Sequence, residues 1–456
     1  MKGILVLVLL SVFVVGLTLV IPGRSALAQE EPMKVRVLLD DYPVSFAVSP
    51  ILVQGRSLVP FRTLAEALGT QVGWDGVTQM ATATDGKNQV QIKIGSTTAY
   101  RNGLSYTLDV PAQLSENRTL VPLRFFSEAL GCKVDWDGAT YTVRIISPPK
   151  PMEVLGYYAL GDSQTSSWTD LFGRPFPETT VGNTDLVREI ALGWYSLDSQ
   201  GKLLTASVTG WRRPEGWERV MEAAGRYGLA TQMVVHMTDG RGELSALLKD
   251  EAARQRAASE IAAEAVRYSG VNLDLEGLGF HEAGGTLAET RERFSGFVEL
   301  ISRKLKATET GLPGQPATVS GRAVTGTNNP GIVPEDLKKG KTLSLTLHAP
   351  NSVYLGYDYA ALGKWADRII VMAYDYGEKP EPNAQVLTAL AMAKKEVPAE
   401  KLLLGISAAS ETPPSLAIKI GLAKRLGLKG IALWRLGLIS PEMWREMRGA
   451  IEVRKP

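Results

Sequence analysis

The chain has 456 residues, with 50 Lys and Arg against 48 Asp and Glu and a formal net charge of +2. That length allows more than one core. The even charge balance excludes the basic stripe of a nucleic-acid-binding protein, so no nucleic-acid partner is expected.

The first residues read as a targeting segment. Lys2 is followed by an apolar run over 4–21 and by the small-residue triplet Ala26-Leu27-Ala28. This pattern predicts a signal peptide over 1–28, with a mature start at Gln29. The run approaches membrane-spanning length, so an uncleaved anchor is the alternative. Either reading places the rest of the chain outside the cytoplasm, secreted or associated with the envelope. Cys132 is the only cysteine. It cannot form an internal disulfide and reads as a small buried apolar residue.

An internal repeat follows. Residues 56–76 read RSLVPFRTLAEALGTQVGWDG, and residues 118–138 read RTLVPLRFFSEALGCKVDWDG. Two similar segments imply two equivalent structural units. In each, a short apolar piece leads through Pro60 or Pro122 into a helix that stops at Gly69 or Gly131. An alternating strand then runs through Trp74 or Trp136 into an Asp-Gly turn, Asp75-Gly76 or Asp137-Gly138. Alternation over 35–39, 90–94 and 141–145 predicts further strands. The whole is a small duplicated α+β domain over 29–146. Trp74 and Trp136 are expected in its core, the alternative being platforms for sugars. The LVPFR and LVPLR pieces, the EALG stops and the paired WDG turns resemble the copper amine oxidase-like N-terminal domain, a stalk-type module of exported bacterial proteins. The resemblance implies attachment to the cell wall. It does not bring copper, because 29–146 contains no histidine.

The proline-rich stretch 147–152 reads as a stiff linker. Beyond it, apolar strand candidates at 154–158, 190–194, 230–236, 271–276, 343–347, 368–374, 402–406 and 430–434 alternate with helical stretches such as 252–268, 286–308, 384–396 and 416–426. Eight strands with helices between them predict an α/β fold, a (β/α)8 TIM barrel over 153–456. A doubly wound open sheet is the alternative. It is weakened because no glycine-rich phosphate loop follows any strand.

The segment Ser269-Gly270-Val271-Asn272-Leu273-Asp274-Leu275-Glu276 carries the chemistry. Residues two apart on a strand share a face, so Asn272, Asp274 and Glu276 point one way and the apolar residues the other. In a barrel the polar set faces the interior and the C-terminal mouth, where active sites sit. Two carboxylates close together raise each other's pKa, as a general acid at neutral pH requires. An amphipathic strand with one solvated face would give the same spacing. His236, His281 and His348 lie far apart along the chain without zinc-ligand spacing, so no metal and no cofactor is expected.

The octapeptide resembles the glycoside hydrolase family 18 signature, Asp-Gly-x-Asp-x-Asp-x-Glu. Gly270, Asp274 and Glu276 match it, whereas Ser269 and Asn272 stand in place of the first two aspartates. A Gly-Val-Asn-x-Asp-x-Glu form is characteristic of the family's spore-germination and peptidoglycan N-acetylglucosaminidase-like branch. Met372-Ala373-Tyr374-Asp375 resembles the family's Met-x-Tyr-Asp strand, and Gly430 to Trp434 its last strand. The Tyr-Gly-x-x-Trp stretch usual in that branch is absent, and Glu378-Lys379-Pro380-Glu381-Pro382 replaces the usual Gly-Pro element.

The resemblance implies substrate-assisted retaining hydrolysis of β-1,4-linked N-acetylglucosamine-containing glycans. Glu276 would be the proton donor, while Asp274 and Tyr374 would hold the substrate's acetamido group. Asn272, Met372, Asp375 and Trp434 would contact substrate, Trp434 by stacking under a sugar. Peptidoglycan is the expected polymer. A chitinase or a catalytically weak glycan-binding protein are the alternatives, and the retained Glu276 argues against the second.

Overall fold

The computed structural model of the protein describes residues 34–158, 167–207, 209–310 and 340–454. The expected signal segment, 1–28, lies outside them. Among the described residues no helix is long and apolar enough to cross a membrane.

The eight expected strands form a closed parallel barrel. They are β1 (Glu153–Tyr158), β2 (Glu189–Leu197), β3 (Ala230–Thr238), β4 (Gly270–Glu276), β5 (Thr342–His348), β6 (Arg368–Met372), β7 (Leu402–Ser407) and β8 (Gly430–Trp434). Each pairs in parallel with the next, and β8 closes on β1. The open-sheet alternative is thereby excluded. Burial on both faces explains why the strands read as near-continuous apolar runs. Val271, Leu273 and Leu275 face the helices with no exposed surface. Gly270 has a steric reason: a Cβ there would come within 2.2 Å of the Thr342 hydroxyl oxygen on β5.

The barrel interior is layered. The lowest layer is polar, built on Arg368. Its guanidinium donates to Glu153 at 3.0 Å, to Glu189, and to the Ser344 hydroxyl at 3.0 and 3.2 Å. Gln232 donates to the other oxygen of Glu189 and to Thr342. Above lies a dry layer of Leu155, Ala191, Val234, Ile370, Leu403 and Ala432. The third layer, at the mouth, is polar again. Removing one member of a buried ion pair strands the other charge and costs about 3–5 kcal/mol. Arg368→Met should therefore destabilise the barrel by about that amount in denaturant melts, and adding Glu189→Gln should recover part of it. A loss below ~1 kcal/mol would mean the pair contributes no more than a surface pair does.

The N-terminal repeat is an approximate two-fold. Leu58-Val59-Pro60 pairs antiparallel with Leu120-Val121-Pro122 about Val59 opposite Val121. Each copy then enters its helix, Phe61–Ala67 or Leu123–Ala129, which ends before Gly69 or Gly131 at positive φ. Cys132 is buried, and burial is the first cause pushing its thiol up to about 12. The expected Asp-Gly turns are wider than two residues. Asp75 accepts from the backbone of Val77 and Thr78, and Asp137 from that of Ala139 and Thr140. The expectation that both tryptophans are core is wrong. Trp74 and Trp136 are 49% and 42% exposed, because their strands, Gln71–Asp75 and Lys133–Asp137, lie at the edges of their sheets.

This domain abuts the barrel. Arg425 donates to the Pro43 carbonyl at 3.1 Å, and Lys150 to the Leu68 carbonyl at 3.0 Å. Asp40 lies against Gly421 on the helix Pro413–Arg425, so closely that a Cβ there would fall 2.6 Å from the Asp40 Cβ.

Candidate active site at the barrel mouth

A cleft of about 580 Å³ opens at the C-terminal ends of the strands. Asp274, Glu276, Met372, Tyr374, Asp375 and Trp434 line it, together with Tyr157, Trp211, His236, Thr346, His348 and Tyr354. Six of the seven expected site residues are thus brought together. Asn272 is the exception. It is completely buried, and its amide is engaged below the cleft: Nδ2 donates to the Tyr157 hydroxyl at 3.3 Å and Oδ1 accepts from Thr346 at 2.8 Å. The Tyr157 and Thr346 hydroxyls also bond to each other. Asn272 therefore ties β1, β4 and β5 together instead of facing substrate.

Asp274 and Glu276 share a hydrogen bond. Burial first, and then the adjacent Glu276 charge, hold the Asp274 carboxyl well above the usual carboxylate range. Burial also acts to raise Glu276, but the hydrogen bond from His236, the charges of His236 and His348 and the bond from Asp274 outweigh it, so Glu276 is lowered. Of the two, Asp274 keeps its proton to higher pH. Burial holds the His348 imidazole below its ordinary value, against the pull of Glu276. The hydroxyl of Tyr374 is raised by burial first, then by Asp274, so it remains a proton donor facing that carboxyl.

The two histidines are functional candidates that the sequence reading missed. His236 Nε2 stands 3.7 Å from Glu276 Oε1, and His348 Nε2 stands 3.8 Å from Glu276 Oε2. Absence of ligand spacing along the chain was a misleading sign, because adjacent strands bring distant residues together: His236 pairs in register with Asp274. Strand parity was the usable signal. Ser344, Thr346 and His348 alternate with Leu343, Leu345 and Leu347 and so face the interior.

Aromatic rings complete the walls. Trp211 lies between His236 and Trp434, stacked on both, with ring centroids 4.2 and 5.2 Å away. Trp434 is half-buried and meets Tyr157 edge-on. His348 stacks on Tyr354 at 4.0 Å. Tyr357 fixes the end of β4 by donating to the Leu275 carbonyl at 2.8 Å.

Asp375 is held at φ 64°, a left-handed conformation that needs support in a non-glycine residue. The buried Glu381 supplies it, accepting from the backbone N–H groups of Asp375 and Tyr376, both at 3.1 Å. Glu381→Gln should turn one of those acceptors into a donor. A ~10–10²-fold fall in kcat/KM is expected, from misplacement of the loop. An unchanged kcat/KM in a folded variant would show that this clamp does not position the site.

A parallel barrel whose mouth holds a hydrogen-bonded carboxyl pair among aromatic rings is the architecture of a glycoside hydrolase. Residues 155–412, more than half of the chain, match the family model for Glycosyl hydrolases family 18, and the chain belongs to that family. A polysaccharide is accordingly its substrate class. Residues 38–145 match the copper amine oxidase N-terminal domain. No curated protein sequence matches the chain. Similar solved structures include a chitinase from Chromobacterium violaceum, at 19% identity and TM-score 0.48 over 65% of this chain and 98% of that one. The spore cortex-lytic enzymes SleL of Bacillus cereus and Bacillus megaterium are each 16% identical. They cover 67% and 76% of this chain and 76% and 80% of their own, with TM-scores of 0.48 and 0.49.

Proposed function

We propose that this hydrolase cleaves β-1,4-linked N-acetylglucosamine-containing glycans, peptidoglycan foremost, with the substrate's own acetamido group as nucleophile. The hydrogen-bonded Asp274–Glu276 pair carries this reading. A two-carboxylate retaining mechanism needs an acid and a nucleophile flanking the sugar on opposite sides. Two carboxyls side by side on the same face of one strand cannot flank it. The nucleophile then comes from the substrate, and the family's substrate-assisted chemistry fits.

Glu276 donates its proton to the glycosidic oxygen. The acetamido carbonyl oxygen attacks the anomeric carbon as the leaving sugar departs. Asp274 holds the acetamido N–H, and the Tyr374 hydroxyl donates to its oxygen. Glu276, now a carboxylate, takes a proton from the water that opens the cyclic intermediate. Two inversions at one carbon give retention. Asp375 and Met372 border the sugar, and Trp434 underlies it. With substrate in place the proton sits on Glu276 while Asp274 accepts from the acetamido N–H, and the attacking water returns that proton to Glu276 at the end of the cycle.

The Asn272 form of the signature and the wall-type N-terminal domain favour peptidoglycan over chitin. The apolar start supports export, and the N-terminal domain serves attachment or spacing. Mass spectrometry of products from purified peptidoglycan and, separately, from N-acetylglucosamine oligomers tests the reading. Muropeptides ending in reducing N-acetylglucosamine are expected. Cleavage of the oligomers alone would make the chain a chitinase, and no product from either would refute the substrate class. Residues 29–146 should melt cooperatively as a fragment and be retained on insoluble cell walls. A fragment with no cooperative melt is not an independent domain, and one that is not retained does not attach the chain to the wall.

A further inference from the structure

We propose that His236 Nε2, Asp274 Oδ1 and Glu276 Oε1 form a binding site for a divalent zinc ion, and that this ion and a hydrolysable substrate exclude one another. One donor atom from each of the three side chains lies within 4.8 Å of the other two, and all three residues line the cleft. The 3.7 Å between His236 Nε2 and Glu276 Oε1 is close to the edge of a tetrahedron with bonds of about 2.0–2.2 Å.

Asp274 provides an independent sign. It is only 3% exposed, lines the cleft, and its Oδ1 has no hydrogen-bond partner among the described residues. An unpartnered buried carboxyl oxygen is costly, and a cation that displaces the carboxyl proton answers it. The supporting shell is also present. The Thr209 hydroxyl lies 3.4 Å from His236 Nδ1, and the Trp211 ring lies parallel to the imidazole. Metal binding needs the Nε2 lone pair, which the tautomer with Nδ1–H donating to the Thr209 hydroxyl supplies, and the metal then replaces the contact between His236 and Glu276. On the other side of Glu276, His348 Nε2 has no hydrogen-bond partner among the described residues and adds a second imidazole donor 3.8 Å from Oε2.

The donor chemistry selects the ion. One or two imidazoles with two carboxylates suit zinc, whereas calcium and magnesium need six or more oxygens, many of them from water. The functional consequence rests on the reading of Glu276 as proton donor. A zinc ion on Oε1 takes the lone pair that must carry the proton, and it occupies the space of the scissile oxygen. Zinc would then be a competitive inhibitor built against the acid, not a cofactor.

The test uses the full exported chain, stripped with a chelator and titrated with CoCl2 while visible absorption is recorded. Cobalt reports nitrogen and oxygen coordination without any turnover. About one equivalent should give visible bands, and ZnCl2 should abolish them. His236→Phe keeps a ring against Trp211 but removes the donor, and it should weaken binding at least ~10-fold. Glu276→Gln, a near-isosteric change, should do the same, and thermal melts establish that both variants are folded. His281→Ala removes the histidine outside the cluster and should change nothing. Unaltered binding in His236→Phe or Glu276→Gln, or loss in His281→Ala, overturns the site. Binding without competitive inhibition of glycan cleavage would overturn the exclusion while leaving the metal site. A chain inert on every glycan still tests the metal site by absorption alone.

Discussion

Glu276→Gln is expected to lower turnover ~10²–10⁴-fold, the usual contribution of a positioned proton donor. The amide matches the carboxyl in size, so the fold and glycan binding should persist. The loss belongs in kcat, because the proton moves in the transition state and not on binding. Isothermal titration with an N-acetylglucosamine oligomer, beside turnover on peptidoglycan, separates the two. A folded variant that keeps more than about a tenth of wild-type turnover would fall short of any general-acid contribution and remove Glu276 from the role. A variant that binds glycan much more weakly would point instead to a binding function for the carboxylate.

Asp274→Asn should lower kcat ~10²–10³-fold, the range for losing one preorganised group that stabilises developing charge. It should also change the pH profile, which a merely structural role would not. In the wild type the pair holds a proton that burial and the neighbouring charge keep on to higher pH than an isolated carboxyl would. Loss of that proton leaves no acid and sets the basic limb of kcat/KM. Without the second carboxylate nothing forces Glu276 to share. The histidines on either side then favour its ionised form, and it loses its proton at lower pH. The basic limb should therefore move toward acid. A limb that stays put or moves toward base would mean that the two carboxyls do not titrate together. The proton on Asp274 would then have to be discarded.

Most of the barrel was legible because buried parallel strands are unbroken apolar runs, and all eight stand where those runs lie. Helices were harder. Glu243–Lys249 and Tyr359–Trp365 have seven residues each, too few for the 3.6 period to stand out. The carboxyl pair was legible from strand parity and the motif. His236, Trp211 and His348 were not: parity aims the histidines inward, but only the pairing of three neighbouring strands and the packing of Trp211 bring them to one place, and chain spacing says nothing of it. Asn272 was placed on the correct face, but its depth depends on Tyr157 and Thr346, hydroxyls from two other strands. The exposed tryptophans of the repeat failed for a related reason. Alternation marks a strand, but only the sheet order reveals that it is an edge.

The contact between the two domains has a consequence for reach. Strands begin at one end of the barrel and finish at the other, and the N-terminal domain touches the end where they begin. Lys150 precedes β1 and accompanies Ile451, Arg425 precedes β8, and Lys87 pairs with Glu452 after the last helix. The cleft opens at the opposite pole. A chain tethered through its N-terminal region would present that cleft away from its point of anchorage. It would sample polymer lying beyond its own length, and the strand that holds it would be the strand it is least able to cut.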